Sequence, residues 1–306
     1  MNEHELQDLL ADRRFRPDPD DLRARLERSA PRRFGRRLIV FAAAAGVLLA
    51  LTATWWSVRG GETWTLTTLD GTTRLEGEVV SGRHSLRPGQ ELTTASSGSA
   101  ELLLGELGRV RLLEETTLRV LSAGRRWGLA LERGTIEAVT VAPPDVFFVE
   151  TPSGLATDLG CAFELETDEE GHGRLVVSAG WVSFEVESRR CYVPAGASCR
   201  LDPALGPGTP VRDAASPELR AALERIDASS EHGAELDLAL RESRTEDALT
   251  LWHLVSRVPV ASRPQVIERL ESLAPRPPTV SAEAVQAGDP DALNDWLRSF
   301  SGAPVR

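Results

Sequence analysis

The chain has 306 residues, of which 46 are acidic and 35 are basic, and its formal net charge is −11. All of the basic residues are arginines, and a chain this acidic is not expected to bind nucleic acid. The length suffices for about two globular units besides any membrane anchor.

Residues 1–37 are predicted to form a cytoplasmic tail. In "PDPDDLRARLERS", Asp18 suits the N-cap and Pro19 the first turn of a short helix, with Leu22 and Leu26 on one face. So few apolar side chains cannot build a core. Two interpretations stay open: a flexible segment beside the anchor, or a segment that folds on a cytoplasmic protein through Leu22 and Leu26.

Residues 38–58 are predicted to form a single transmembrane helix. The segment has no charged side chain and, at about 1.5 Å per residue, would span a hydrocarbon core of roughly 30 Å. Four arginines precede it: Arg32, Arg33, Arg36 and Arg37. This bias predicts a cytoplasmic N-terminus and an exported C-terminus, which for a bacterial protein means the inner membrane with the C-terminus in the periplasm. A cleaved signal peptide is the alternative, although such peptides begin nearer the N-terminus.

Residues 62–202 are predicted to form an all-β domain. Short runs of alternating apolar residues are separated by turns rich in Gly, Pro and Ser; in "SAELLLGELGRVRLL", Ala100, Leu102 and Leu104 alternate before a glycine bend. Many closely spaced short strands favour a sandwich or a jelly-roll-like barrel over a βαβ sheet.

Four stretches of this β region, taken in order, resemble the FecR domain. They are "LRPGQELTTASSGSAELLLGELGRVRLLEETTLRVL" (86–121), "LALERGTIEAVTV" (129–141), "FFVETPSGLATDLGCAFELE" (147–166) and "GRLVVSAGWVSFEV" (173–186). The resemblance implies a membrane-spanning regulator whose periplasmic β domain senses a state of the envelope. It also implies that the cytoplasmic tail controls an extracytoplasmic-function sigma factor, as an anti-sigma factor does.

After residue 202 the spacing of apolar residues changes from alternation to a helical period, which predicts a third part of the chain. Residues 203–214 are rich in Pro and Gly and are predicted to be a linker. Residues 215–306 are predicted to form an all-α unit, because apolar residues recur at helical spacing, as Leu251, Leu254 and Val258 do. A helical extension of this kind suits contacts with other proteins.

No motif for catalysis or for a cofactor is present. The sequence lacks G-x-S-x-G, H-E-x-x-H and phosphate-binding glycine loops, so we predict no enzyme activity, no cofactor and no metal. The acidic stretch "TDEEGHG", with Asp168, Glu169, Glu170 and His172, is better explained as a solvated turn than as a cation site.

All three cysteines follow the predicted anchor, in a compartment that permits disulfides. A turn at 194–196 would bring Cys191 near Cys199. In the FecR pattern, Cys161 stands where a small residue enters the core, and Cys199 could reach it across the sheet. The Cys161–Cys199 pair is slightly preferred, with Cys191–Cys199 as the alternative, and buried reduced thiols remain a third interpretation.

Two classes of function fit these observations. The first is a FecR-like regulator that relays an envelope signal to a cytoplasmic protein. The alternative is an anchored periplasmic binding or scaffold protein for an envelope polymer or protein. The expected partners are therefore a cytoplasmic protein such as a sigma factor, an envelope protein or polymer, and the lipid bilayer.

Overall fold

The computed structural model describes residues 63–187, 189–229 and 233–304. They belong to one compact unit, in which a β-rich region is followed by helices. The predicted tail and the predicted transmembrane segment lie outside the described residues. Within the described ranges no helix is long and apolar enough to cross a bilayer.

The β-rich region contains eighteen short strands among the described residues. They are β1 (Trp64–Asp70), β2 (Thr73–Leu75), β3 (Glu78–Val80), β4 (Arg83–Leu86), β5 (Glu91–Thr94), β6 (Ser99–Leu103), β7 (Gly108–Leu112), β8 (Thr117–Ser122), β9 (Trp127–Thr140), β10 (Phe147–Thr151), β11 (Gly154–Asp158), β12 (Ala162–Thr167), β13 (Gly173–Ala179), β14 (Trp181–Val186), β15 (Arg189–Pro194), β16 (Ala197–Asp202), β17 (Gly206–Pro207) and β18 (Val211–Arg212).

The strands form two sheets that share β9. The first sheet has the order β4-β1-β6-β7-β9-β12-β13-β16, with β17 and β18 both paired to β16. The second has the order β3-β2-β5-β8-β9-β10-β11-β14-β15. The strands pair antiparallel except for β9 with β10, which are parallel. The predicted β-rich architecture is confirmed.

Strand β9 passes from one sheet to the other at Gly134. Its first half pairs with β8 and β10, and its second half pairs with β7 and β12. Gly134 has φ +95°, and a Cβ there would lie 2.4 Å from Thr116 Cα. The Thr116 hydroxyl accepts a hydrogen bond from Thr135 N at 3.0 Å, so it holds the backbone beside the crossing. Only glycine fits this position without displacing the backbone at Thr116, just before β8.

The inward faces of the two sheets form one hydrophobic core. The alternation predicted around Leu102 is confirmed, because Ala100, Leu102 and Leu104 are all fully buried. Aromatic rings fill the centre, where the Trp64 and Trp127 centroids lie 5.0 Å apart in an edge-to-face arrangement. Buried tryptophans in these strands therefore contribute to packing.

Helices follow the sheets, as the change of period predicts. They are α1 (Pro217–Ala228), α2 (Gly233–Glu242), α3 (Ala248–Arg257), α4 (Arg263–Leu273), α5 (Ala282–Ala287) and α6 (Pro290–Ser301). The Ser216 hydroxyl accepts a hydrogen bond from Leu219 N at the start of α1, and Asp289 caps α6 in the same way. The helices share an apolar core that includes Leu251, Leu254 and other buried residues of their inward faces.

The segment predicted as a linker, 203–214, lies against the first sheet. Strands β17 and β18 fall within it and pair with β16. Tyr192 of β15 packs in the same apolar cluster as the helices. The β and helical parts are thus in direct contact, while the domain boundaries drawn from the sequence stay predictions.

Candidate functional site

A cluster of ionisable side chains lies where β15 and β16 meet helices α1 and α3. We call it the junction cluster, and it consists of Cys191, Cys199, Asp227, His253 and Arg257. Each of these side chains is buried or largely buried. Buried polar groups need hydrogen-bond partners within the protein, and the side chains of the junction cluster find many of theirs among nearby backbone groups.

Arg257 and Asp227 form a largely buried ion pair across the junction. Arg257 Nη1 lies 3.1 Å from Asp227 Oδ1, and the two side chains are 8% and 22% exposed. The guanidinium also donates to Pro207 O at 2.9 Å and to Gly208 O at 3.0 Å. Asp227 in turn accepts from Thr209 N at 2.6 Å and from the Thr209 hydroxyl at 2.7 Å. The pair therefore fastens loop 207–209 to both α1 and α3.

His253 attaches helix α3 to the outer edge of the second sheet. Tyr192 N donates to His253 Nε2 at 3.0 Å, and His253 Nδ1 lies 2.9 Å from Leu249 O. Because a carbonyl only accepts, the proton sits on Nδ1, and Nε2 is free to accept. The ring is therefore neutral, and both of its nitrogens are hydrogen-bonded to backbone groups. It also covers an edge strand that would otherwise be open to pairing.

The two thiols of the junction cluster face each other. Cys191 Sγ lies 3.6 Å from Cys199 Sγ, and both side chains are buried. Each sulfur also lies near Gly208 O, at 3.7 Å for Cys191 and 3.1 Å for Cys199. The hydrogen bond with Cys191 and burial raise the pKa of Cys199 well above its ordinary value. Cys199 is therefore held as a protonated thiol.

The third cysteine, Cys161, has a different partner. Its thiol donates to Asp158, whose carboxyl also accepts from the Thr140 hydroxyl and from Gly160 N. Burial, followed by the charge of Asp158 and the hydrogen bond to it, raises the pKa of Cys161. The structure therefore brings together Cys191 and Cys199, which are the alternative pair predicted from the sequence. The thiol of Cys161 is instead hydrogen-bonded to the Asp158 carboxyl. Formation of either disulfide stays a prediction.

Asp158 should make the stability of the protein depend on pH. Burial raises its pKa above the ordinary 3.8, although its hydrogen bonds oppose the shift. The folded state therefore keeps this proton where the unfolded chain releases it, so the stabilisation is present below pH 3.8 and is lost as the pH rises through the folded pKa. The stability advantage of the wild type over Asp158→Asn, measured by urea unfolding, should shrink toward neutral pH.

Asp202→Asn is the matched control for this titration. Backbone hydrogen bonds from Leu205 and Ala204 lower the pKa of Asp202, so its stabilisation is present above the ordinary pKa and is lost as the pH falls. The two variants should thus change with pH in opposite directions. A difference between wild type and Asp158→Asn that stays constant, or that grows with pH, would contradict the prediction.

The acidic hairpin tip at 168–172 is largely exposed and is closed by its own hydrogen bonds. Asp168 accepts from His172 N at 2.8 Å, which closes the turn, and Glu169 pairs with Arg133. Among the described residues, no group of three or more His, Cys, Asp and Glu side chains is arranged to hold a metal ion. Asp168 and Glu169 therefore have partners in the hairpin itself and on β9.

Of the surface clefts that border the junction cluster, two differ clearly in their lining. The larger, about 550 Å³, is lined by Arg174, Arg200 and Glu224 among others, and Arg200 is paired with Glu224 at 3.2 Å. The other, about 480 Å³, is lined by Tyr192, Trp252 and further polar side chains of β15 and α6. Two of the charged side chains in the first cleft, Arg200 and Glu224, therefore already neutralise each other.

Sequence reasoning did not anticipate most of the junction cluster. It gave no role to Asp227 or Arg257, since a charged residue within an amphipathic helix has the signature of a solvated face. The predicted tail contacts Leu22 and Leu26 lie outside the described residues.

Comparison with known proteins locates one family within the chain. Residues 90–183 match the family described as "FecR protein". Two crystal structures, at 1.65 and 2.50 Å resolution, of a "putative anti-sigma factor" from Parabacteroides distasonis ATCC 8503 are similar at 15% identity and a TM-score of 0.35. The similarity covers 43% of this chain and 63% and 62% of those chains, less than two thirds of their length. No curated protein matches the chain.

Proposed function

We propose that this chain, which carries a FecR domain at residues 90–183, is a single-pass regulator of the bacterial inner membrane. Its tail lies in the cytoplasm and its C-terminus in the periplasm. It relays an envelope signal to a cytoplasmic protein, for which an extracytoplasmic-function sigma factor is our candidate. The observation that carries the proposal is the FecR match, which follows an uncharged apolar segment of spanning length.

The tail is the part that would contact the cytoplasmic partner. Residues 1–37 contain too few apolar side chains for a core, so a tail that acts must fold on another protein. Leu22 and Leu26, four residues apart, would form the contact face of a short helix. The sigma factor enters the proposal through the family resemblance, and the contact face rests on the spacing of the two leucines.

The double substitution Leu22→Asp and Leu26→Asp should release the partner. Two carboxylates on the apolar face would have to be desolvated on binding, so retention of the partner by the full-length membrane protein should fall at least about tenfold. Transcription from promoters of the partner should change as strongly as it does on deletion of residues 1–30. Pull-down from detergent-solubilised membranes and a transcriptional reporter measure the two effects.

Ala24→Asp is the control, because it adds one carboxylate to the opposite side of the predicted helix. It should leave partner retention within about twofold of wild type, since its side chain would not face the partner. All variants should remain in the membrane fraction, which also checks the anchor. If the leucine variants and the deletion leave transcription unchanged, the relay fails and an anchored periplasmic scaffold becomes the better account.

A further inference from the structure

The two thiols of the junction cluster come from different sheets. Cys191 lies on β15 of the second sheet, opposite Phe184, and Cys199 lies on β16 of the first sheet, opposite Leu175. Both side chains belong to the hydrophobic core between the sheets. A bond between them would therefore tie the two layers together at one end of the sandwich.

The geometry around the thiols is close to that of a disulfide. The sulfurs are 3.6 Å apart, so they must approach by about 1.5 Å to reach a bond length of about 2.05 Å. The turn between β15 and β16 is fixed, because Ala195 N donates to Gly180 O and Gly196 N donates to Val177 O. The two strand ends are thus held in place while the side chains rotate toward each other.

A single carbonyl connects the thiols to the helices. Gly208 O lies 3.1 Å from Cys199 Sγ and 3.7 Å from Cys191 Sγ. Arg257 Nη2 donates a hydrogen bond to the same oxygen at 3.0 Å. A disulfide has no S–H group and cannot donate a hydrogen bond. After oxidation, Arg257 would be the one of these three side chains still able to donate to the carbonyl.

We propose that Cys191 and Cys199 form a reversible disulfide between the two sheets, and that Gly208 O couples this disulfide to the Arg257 contact with the helices. The reaction is thiol–disulfide exchange with a small-molecule or protein disulfide. One thiolate attacks that disulfide, forms a mixed disulfide and expels the first thiolate. The second cysteine then attacks the mixed disulfide and expels the other thiolate. The two protons of the cysteines pass to the two thiolates released.

Oxidation of the purified full-length protein by oxidised glutathione tests the bond. Because both sulfurs are buried, the reaction is run with and without a urea concentration below the unfolding transition, which permits local opening. Peptide mapping should show Cys191 linked to Cys199 and Cys161 free for alkylation. Dithiothreitol should restore three free thiols, and the oxidised form should melt about 5 °C higher.

Two variants separate this pair from the other candidate. Cys161→Ala should leave the linked peptide unchanged, whereas Cys191→Ala should abolish it. A Cys161–Cys199 link would overturn the proposal, and so would three free thiols after treatment under both conditions. The test is independent of the proposed function, because it uses neither the tail nor a cytoplasmic partner.

Thermal unfolding of an Arg257 variant tests the coupling to the helices. Arg257→Met removes the arginine that donates a hydrogen bond to Gly208 O. In the reduced protein a thiol can still donate a hydrogen bond to this carbonyl, whereas in the oxidised protein it cannot. The loss in Tm should therefore be larger, by about 2 °C or more, in the oxidised protein than in the reduced one. Arg257→Lys, a milder change, gives the same comparison if the Met variant does not fold. Equal losses in both redox states would disprove the coupling.

Discussion

Replacing Arg257 by Met should lower the free energy of unfolding by about 3 kcal/mol. The guanidinium of Arg257 donates hydrogen bonds to the Asp227 carboxylate and to the Pro207 and Gly208 carbonyls, and the substitution removes all of them. Because Asp227 is still 22% exposed, water would compensate part of the loss, which keeps the effect near the low end for a buried pair. Urea unfolding of the full-length protein in mild detergent, followed by tryptophan fluorescence, measures the change.

Arg225→Met is the matched control for this experiment. Arg225 lies on the same helix as Asp227 and pairs with Glu235 at 3.5 Å, but its side chain is 53% exposed. An exposed pair of this kind contributes about 0 to 1 kcal/mol, so the variant should remain close to wild type. Equal effects at the two arginines would mean that the junction cluster does not hold the loop as the structure indicates.

Replacing Gly134 by Ala should lower the free energy of unfolding by about 3 kcal/mol. The residue has φ +95°, which an alanine adopts only with strain, and the added Cβ would lie 2.4 Å from Thr116 Cα. A backbone atom cannot move aside as a side chain can, so the crossing of β9 between the sheets would have to shift. The same urea unfolding assay measures the loss.

Gly77→Ala separates strain from steric overlap. Gly77 has φ +82°, but an added Cβ there meets no atom within 4 Å. The control therefore carries only the cost of the backbone conformation, about 1 kcal/mol. If the two alanine variants lose the same stability, the close approach of Gly134 to Thr116 is not what requires glycine at the crossing.

Local patterns in the sequence predicted the elements of the fold well. The alternation at Ala100, Leu102 and Leu104 marks a buried strand face, and the helical spacing of Leu251, Leu254 and Val258 marks a buried helix face. Both signals depend on neighbours in the chain, so a single sequence contains them. The pairing of β9 with four other strands depends on distant segments, and no local pattern reveals it.

The candidate site was less accessible to sequence reasoning. Asp227 and Arg257 are thirty residues apart in the sequence and lie on different helices. They contact each other and also bind the loop 207–209, which belongs to neither helix, so their charges alone could not predict a buried pair. The cysteines gave a partial signal, since the turn at 194–196 indicated that Cys191 and Cys199 would be close. The contact of Cys161 with Asp158 was missed, although the stretch "TDLGC" contains both residues.

The sharing of β9 between both sheets limits how the two sheets can move relative to each other. Two separately built layers can slide past each other, and small shear movements of this kind occur between packed elements. Here a continuous strand belongs to both layers and is fixed at Gly134, so sliding would break the hydrogen bonds of one half or the other. In the proposed relay, a stimulus would therefore be transmitted by movement of the domain as a rigid body, or by rearrangement at its periphery.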